Sequence, residues 1–257
     1  DDVVIRPWND LDLVEQAFAA HPGEIGAIIT EPVMCNSGCI LPRPGYLEGL
    51  RRIARDHGAM LIFDEVITGF RLGLGGAQAH FGVVPDLAVF AKAIANGYPL
   101  SVLAGSERVM QPITDGRVVH AGTLNAGVPS VAAARATIGI MENERVHDRM
   151  WEMGQVLMTG LRQAGSDSGL PFRVQGPGPM FHTGFTRIDE AIEYRDLFDY
   201  DTALGVAFVR GLHERGVRVL SRGLWYLSSA HTGADLQVGI EAARETLAEL
   251  AAERTPR

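Results

Sequence analysis

Two polar residues stand where an otherwise apolar chain needs a reason for them. Lys92 follows the run Leu87-Ala88-Val89-Phe90-Ala91 and precedes Ala93-Ile94-Ala95-Asn96-Gly97-Tyr98-Pro99-Leu100, after which Ser101-Val102-Leu103-Ala104-Gly105 turns apolar again. The chain has few lysines, and arginine fills most of its basic positions. An unpaired ammonium buried between such runs costs on the order of several kcal/mol or gives up its proton. A lowered pKa is what a lysine needs to attack a carbonyl and hold it as a Schiff base. The plainer reading is a surface lysine at a strand end. Upstream, Asp64 closes the run Ala59-Met60-Leu61-Ile62-Phe63, which puts a carboxylate at the end of a buried strand. Its plainer reading is a solvated cap for the segment that follows.

These residues need a scaffold, and the pattern predicts one. Asn9 to Phe18 reads as a helix with an Asn or Asp cap, stopped by His21-Pro22-Gly23. Ile25 to Thr30 is apolar without alternation, which suits a strand covered on both faces. Tyr46 to His57 spaces Leu47, Leu50, Ile53 and Ala54 at helical intervals, with Gly58 as C-cap. Strands are expected at Ala59–Phe63, Leu87–Phe90 and Ser101–Ala104, with a glycine-rich loop over Gly69–His80. Val128 to about Leu161 predicts long helix, broken near Asn143, and Gly165–Gly169 a loop. Phe172–Gln175 and Met180–Phe185 predict half-buried antiparallel strands. Thr202–Arg215 and Ala234–Glu253 predict amphipathic helices, with extended segments at Val217–Leu220 and Leu224–Ser228 between them. The expected architecture is α/β, with a mainly parallel sheet in residues 1–140 and a long connecting helix and small α+β module in residues 141–257. Function is expected at the strand C-termini.

Composition narrows the class. A chain of 257 residues with 46% hydrophobic content supports one large or two modest soluble domains. No window reaches the roughly 18 apolar residues of a membrane span. The formal charge of -8 argues against a nucleic-acid partner. The start, Asp1-Asp2-Val3-Val4-Ile5, has no basic n-region and so does not read as a signal peptide. It opens in mid-pattern without Met, so a preceding segment is expected. Cys35 and Cys39 form an isolated CxxxC pair, read as two reduced thiols in a cytoplasmic protein with no metal.

An acid and a lysine converging at strand ends beside a glycine-rich loop match the arrangement that holds pyridoxal 5'-phosphate, with the lysine on the aldehyde and the acid on the ring nitrogen. Longer motifs agree. Glu31-Pro32-Val33, Pro44-Gly45-Tyr46-Leu47-Glu48-Gly49-Leu50-Arg51 and Leu61-Ile62-Phe63-Asp64-Glu65-Val66-Ile67-Thr68-Gly69-Phe70-Arg71 stand in one order. They continue through Leu74-Gly75-Gly76-Ala77-Gln78-Ala79-His80-Phe81-Gly82-Val83-Val84-Pro85-Asp86-Leu87, the Lys92 stretch and Ala121-Gly122-Thr123-Leu124, with a weaker return at Ser228-Ser229-Ala230-His231-Thr232. Together they resemble the class III aminotransferases of fold type I, most closely their glutamate-1-semialdehyde 2,1-aminomutase-like members.

The resemblance implies a PLP-dependent aminotransferase or aminomutase acting on a small amino acid or amino aldehyde. It implies that Lys92 carries the Schiff base and shuttles the proton, that Asp64 binds the pyridinium nitrogen, that Val66 packs on the ring face, and that Thr123 holds the phosphate, usually across a dimer interface. Asn36 lies in a loop that in the family comes near the active site, and Arg222 offers a forked cation for a substrate carboxylate, with loop structure and surface charge as the respective alternatives. Two departures stand out. The family runs longer, and its N-terminal part has no counterpart in this sequence, which leaves a fragment, a split gene whose other chain completes the site, or lost chemistry; the partner expected is a second copy in a homodimer or a chain supplying that part. The segment Ser221-Arg222-Gly223-Leu224-Trp225-Tyr226 is short and lacks the acidic residue of the aminomutase proper, and Asn125-Ala126-Gly127-Val128-Pro129 replaces the commoner Gly-Asn-Pro. The competing reading is a catalytically silent or split-gene subunit that needs another chain to complete its cofactor site.

Overall fold

The computed structural model describes residues 2–254. It divides into two units. One comprises the residues up to Val33 with Pro42–Arg145, and the other Met34–Leu41 with the residues from Val146 onward.

Among the described residues, the first unit carries a four-stranded sheet in the order β1-β2-β3-β4. β1 (Ala27–Thr30), β2 (Met60–Glu65) and β3 (Leu87–Phe90) run parallel, and β4 (Val102–Gly105) pairs antiparallel with β3. The β2–β3 register sets Asp64 opposite Val89 and Glu65 opposite Phe90. In β2 the alternate residues Leu61, Phe63 and Glu65 are buried. β1 departs from expectation. It lies at the sheet edge with Ile29 69% exposed, since no described residue of this unit covers that face.

Helix α1 (Leu11–Ala20) starts where Asp10 accepts the Leu13 N–H at 3.0 Å. Helix α2 (Tyr46–Asp56) buries Leu47, Leu50, Ile53 and Ala54. Asp86, just before β3, accepts from Arg51 of α2 at 2.6 Å and from the Leu61 N–H of β2 at 2.8 Å, which ties the helix to the entry side of the sheet. Burial works to raise the Asp86 pKa, but the Leu61 N–H and the Arg51 guanidinium outweigh it and hold the group below the usual carboxylate range.

The loop expected over Gly69–His80 contains a short helix, α3 (Gly76–Phe81). Helix α4 (Glu107–Thr114) follows β4. The long helical stretch is two helices, α5 (Val128–Asn143) and α6 (Val146–Ser168), and the chain passes from the first unit to the second between them. α6 runs through the loop expected at Gly165–Gly169. Gly165 has no side chain, so the helix can lie directly against the Phe172 ring.

The second unit has an antiparallel sheet, β5 (Phe172–Gln175), β6 (Met180–Phe185) and β7 (Leu224–Tyr226), in that order. α6, α7 (Thr202–Glu214) and α8 (Gly233–Arg254) pack with it around Leu161, Phe181, Phe185, Phe208, Leu212 and Leu247. β6 is central and buried at every position rather than half-buried. Val217–Leu220 stays outside the ladder. The Phe181 and Trp225 rings stack at 5.6 Å, and the Trp225 indole donates to Thr183 Oγ1 at 3.0 Å, which satisfies the polar atom this ring brings into the core. No helix among the described residues is long and apolar enough to cross a membrane.

β6 also buries His182. Burial pushes its pKa down to about 4, with the facing Arg222 carbonyl working the other way. The folded value lies below the unfolded 6.5, so the stability His182 contributes as a neutral ring is fully present above pH 6.5. It is lost progressively as pH falls from 6.5 toward about 4, for a total of about 3 kcal/mol. Urea melts followed by tryptophan fluorescence are expected to show this slope in the native chain and its removal in His182→Phe. In the same assay Leu161→Ala, at a fully buried position, is expected to cost about 3 kcal/mol at every pH.

Candidate active site

The end of β2 carries three consecutive residues with different tasks. Asp64 is half-buried, and its Oδ1 accepts the Val66 N–H at 3.0 Å, closing a tight turn as the chain leaves the strand. Its Oδ2 has no hydrogen bond among the described residues and can accept one from a ligand. Val66 is half-buried beside it. Glu65, which the sequence reading passed over, is fully buried. Its carboxylate accepts from Thr68 Oγ1 at 3.0 Å, the Ala77 N–H at 2.6 Å, and the Gln78 backbone and side-chain N–H groups at 3.1 Å each. An apolar strand ending in two acids gives no sign of which one turns inward. The only available cue was the alternation that buries Leu61 and Phe63, since a strand residue two further on shares their face.

Lys92 follows the adjacent parallel strand, two residues beyond the last β2–β3 pair, Glu65 with Phe90. It opens a 3-10 turn, Lys92–Ala95, with φ 50, a left-handed conformation that costs a non-glycine residue roughly 1–2 kcal/mol. The turn is held from below. Ile94 and Ala95 are buried against Ala134 of α5, and Phe70, Leu100, Val102 and Ile138 pack around them. The Phe70 and Phe90 rings meet edge-on at 5.7 Å, so the loop after β2 rests on the end of β3. Lys92 is the only lysine of the chain.

The lysine head group does not have the buried surroundings inferred from the flanking runs. Lys92 is exposed, and its amine has no hydrogen bond or ion pair among the described residues. The reason is geometric. The covered rungs of the sheet end at Phe90, and the left-handed step at Lys92 carries its side chain away from the runs that bury Ile94 and Ala95. The head group is accessible to a ligand.

Thr123 lies in an exposed double turn, with Asn125 N–H to Gly122 O at 3.1 Å and Gly127 N–H to Leu124 O at 3.2 Å, directly before α5. Gly127, the N-cap of α5, offers no side-chain acceptor to the first-turn N–H groups. A hydroxyl beside uncapped N–H groups can take an anion such as phosphate. α5 thus has this turn at its N-terminus, and its Ala134 supports the Lys92 turn.

In the second unit the structure brings together two candidates 186 positions apart. Arg222 Nη2 donates to Asn36 Oδ1 at 2.5 Å. Asn36 lies in the loop closed by Met34 N–H to Ile40 O at 3.0 Å, with Cys35 and Cys39 buried as free thiols. Arg222 stands on the turn from Leu220 to Leu224, which Thr183 N–H fastens to Gly223 O at 2.8 Å. Gly223 has φ 80, and a side chain there would overlap the Thr183 carbonyl, so the turn requires glycine. No carboxylate pairs with Arg222 among the described residues. No group of three or more His, Cys, Asp or Glu among the described residues is placed to hold a metal ion.

This arrangement has relatives. The model of the family described as Aminotransferase class-III matches residues 7–236. The glutamate-1-semialdehyde 2,1-aminomutase of Thermomicrobium roseum is 40% identical over 253 residues, covering 97% of this chain and 59% of that protein. That of Methanothermobacter thermautotrophicus is 39% identical over 247 residues, covering 95% of this chain and 58% of that protein. Among solved structures, an omega-transaminase from Sphaerobacter thermophilus aligns with TM-score 0.88 at 30% identity, covering 97% of this chain and 57% of that one. A glutamate-1-semialdehyde aminomutase from Pseudomonas aeruginosa PAO1 aligns with TM-score 0.86 at 28% identity, covering 96% and 56%. The chain therefore spans somewhat under three fifths of the length of these relatives. The match of the family model over most of the chain, together with these relatives and with a parallel sheet that ends in Asp64 and leads to Lys92, shows that the chain belongs to the class III aminotransferase family and has its fold type I α/β architecture.

Proposed function

We propose that this chain forms the greater part of a pyridoxal 5'-phosphate-dependent aminotransferase or aminomutase acting on an amino acid or amino aldehyde. One observation carries the reading. The ends of two adjacent parallel strands present a carboxylate oxygen and an amine that have no partner among the described residues, the two groups needed at opposite ends of a pyridine ring. The names of the relatives, both aminomutases and transaminases, support it.

The residues present fit the cofactor. Asp64 Oδ2 would accept the ring N–H and keep the proton on that nitrogen. Val66 would cover one ring face. Thr123 and the uncapped start of α5 would take the phosphate. Lys92 would hold the cofactor covalently through its amine. Bound in this way, the cofactor supplies an electron sink beside the amine-bearing carbon of the substrate. With the cofactor bound, the Lys92 amine would serve as the base that moves a proton to and from the reacting carbon, a task that typically contributes about 10²–10⁴-fold to rate.

We assign recognition of a substrate carboxylate to Arg222, with Asn36. One guanidinium nitrogen is turned toward a neutral amide, and no carboxylate among the described residues pairs with the charge. We place a further wall of the site on a second copy of the protein, meeting this one near Thr123. The apolar exposure of Val119 (85%) and Leu124 (82%), on either side of Thr123, supports a contact there. The free thiols suit a reducing compartment, and we assign the chain to the cytoplasm.

A single lysine makes the test direct. Borohydride reduction after addition of pyridoxal phosphate is expected to leave one adduct, mapped by mass spectrometry to Lys92 and missing from Lys92→Ala. An adduct elsewhere, or none on the chain or on its complex with a partner, sinks the reading. In amino-transfer assays Asp64→Asn is expected to lower turnover by about 100-fold or more, since a ring nitrogen without its proton is a poor electron sink. Arg222→Leu is expected to raise KM for carboxylate substrates by about 10-fold or more with kcat little changed; an equal loss on substrates lacking the carboxylate would refute the assignment.

A further inference from the structure

Glu65 is an acid with no cation beside it among the described residues. It is fully buried, receives four hydrogen bonds, and every donor is a neutral N–H or O–H group. A buried carboxylate is costly unless its lone pairs are filled, so its retention calls for a task that a neutral residue cannot perform. Acceptor count supplies one. A carboxylate has two oxygens that only accept, whereas a glutamine amide has one acceptor and would turn two N–H groups toward donors. Only the acid can receive Thr68, Ala77 and Gln78 together.

Those donors mark out a loop. Its start is tied to β2 by Val66 N–H on Asp64 Oδ1 at 3.0 Å and by Gly69 N–H on the Glu65 carbonyl at 2.9 Å. Thr68 binds back to the Glu65 side chain, and the return of the loop at Ala77 and Gln78 binds the same carboxylate. Gly76 has φ 62, and any side chain there would overlap Glu65 Oε2, so close seating of the returning chain depends on that glycine. Both ends of the segment from Val66 to Gly75 are therefore fixed to one strand end, the end that carries Asp64.

Building on the function proposed above, we propose that Glu65 is a positioning residue for the cofactor ring and acts through Asp64 and Val66. The clamp holds the turn in which Asp64 Oδ1 is occupied by Val66 N–H. That contact turns Oδ2 toward a ligand and fixes Val66 beside it. Without the clamp the two residues keep their chemistry and lose their shared geometry.

Two measurements on the whole chain test this. The first needs no cofactor. The Val66 amide donates to Asp64 alone, so its hydrogen exchange, followed by NMR, reports on the turn. Exchange at Val66 is expected to quicken by about 10-fold or more in Glu65→Gln, while amides of α2 and β4 are unchanged. The second is a double-mutant cycle on pyridoxal phosphate affinity. Glu65→Gln is expected to weaken binding by about 10-fold in the native background and by less than about twofold in Asp64→Asn, because the residue it positions is then already disabled. Unchanged exchange at Val66 would overturn the proposal. So would an equal loss of affinity in both backgrounds, which would make Glu65 a fold support independent of Asp64. If Glu65→Gln does not fold, Thr68→Val, which removes one donor and keeps the carboxylate, is read in the same two assays. If the native chain forms no reducible adduct at Lys92, the proposed function fails, and exchange at Val66 still decides whether Glu65 holds the turn.

Discussion

The parallel pairing of β2 with β3 is the constraint behind every other feature of the site. Parallel strands share a direction, so their C-termini emerge at one edge, and a register is fixed once a few residues pair. Here Asp64 sits opposite Val89, so its carboxylate leaves the sheet one strand spacing, about 5 Å, from the chain that leads three residues later to Lys92. A slip of one residue would turn Phe63 outward and the Asp64 carboxylate inward, away from the face it now presents. Burial of Leu61, Phe63 and Ala88 is therefore also what aims the polar ends. The Asp86 carboxylate, shared between Arg51 and the Leu61 N–H, fixes the opposite end of the same pair of strands.

On this frame the first unit combines fixed backbone with free functional atoms. Lys92 has a strained φ and a turn anchored by buried Ile94 and Ala95, yet its amine has no partner among the described residues. Asp64 has one oxygen committed and one open. Ordering a long side chain costs entropy, and much of that cost is avoided when the backbone beneath it is already in place. Backbone strain persists only where surrounding packing over-determines it, and the contacts of Ala95 with α5 and its neighbours supply that packing.

Much of this was legible in the sequence, for reasons that also mark the limit. Asp64 and Lys92 stood out because each breaks an apolar run, and apolar runs of strand length are a local signal. The family resemblance added Val66 and Thr123, which no local pattern singles out. Glu65 was missed because its role depends on donors 12 and 13 positions away, at Ala77 and Gln78, which a one-dimensional pattern does not connect. The exposure of Lys92 stayed open in the sequence because flanking apolarity reports on Ile94 and Ala95 and not on the lysine between them. The burial of all of β6 followed from a sheet order that places it between two neighbours and among helices, and the polar residues His182 and Thr183 in its middle concealed that. The membership of Met34–Leu41 in the second unit is likewise a tertiary fact: a side chain on Gly38 would overlap Leu197, and Asn36 bonds Arg222.

Arg222 shows how the choice of partner sets what an arginine can do. In the same unit Arg215 lies between Glu245 at 2.9 Å and Glu249 at 2.5 Å, so its charge is already answered by two carboxylates. An anion approaching Arg215 would have to displace a charge-assisted bond or meet like charge. Arg222 bonds an amide oxygen instead, which orients the guanidinium without neutralising it. Its backbone is held separately, by a glycine turn fastened to β6, so the side chain need not bond strongly to keep its place. A cation fixed by neutral contacts retains most of its field for a ligand, which is the property a carboxylate-recognising residue needs and a surface ion pair lacks.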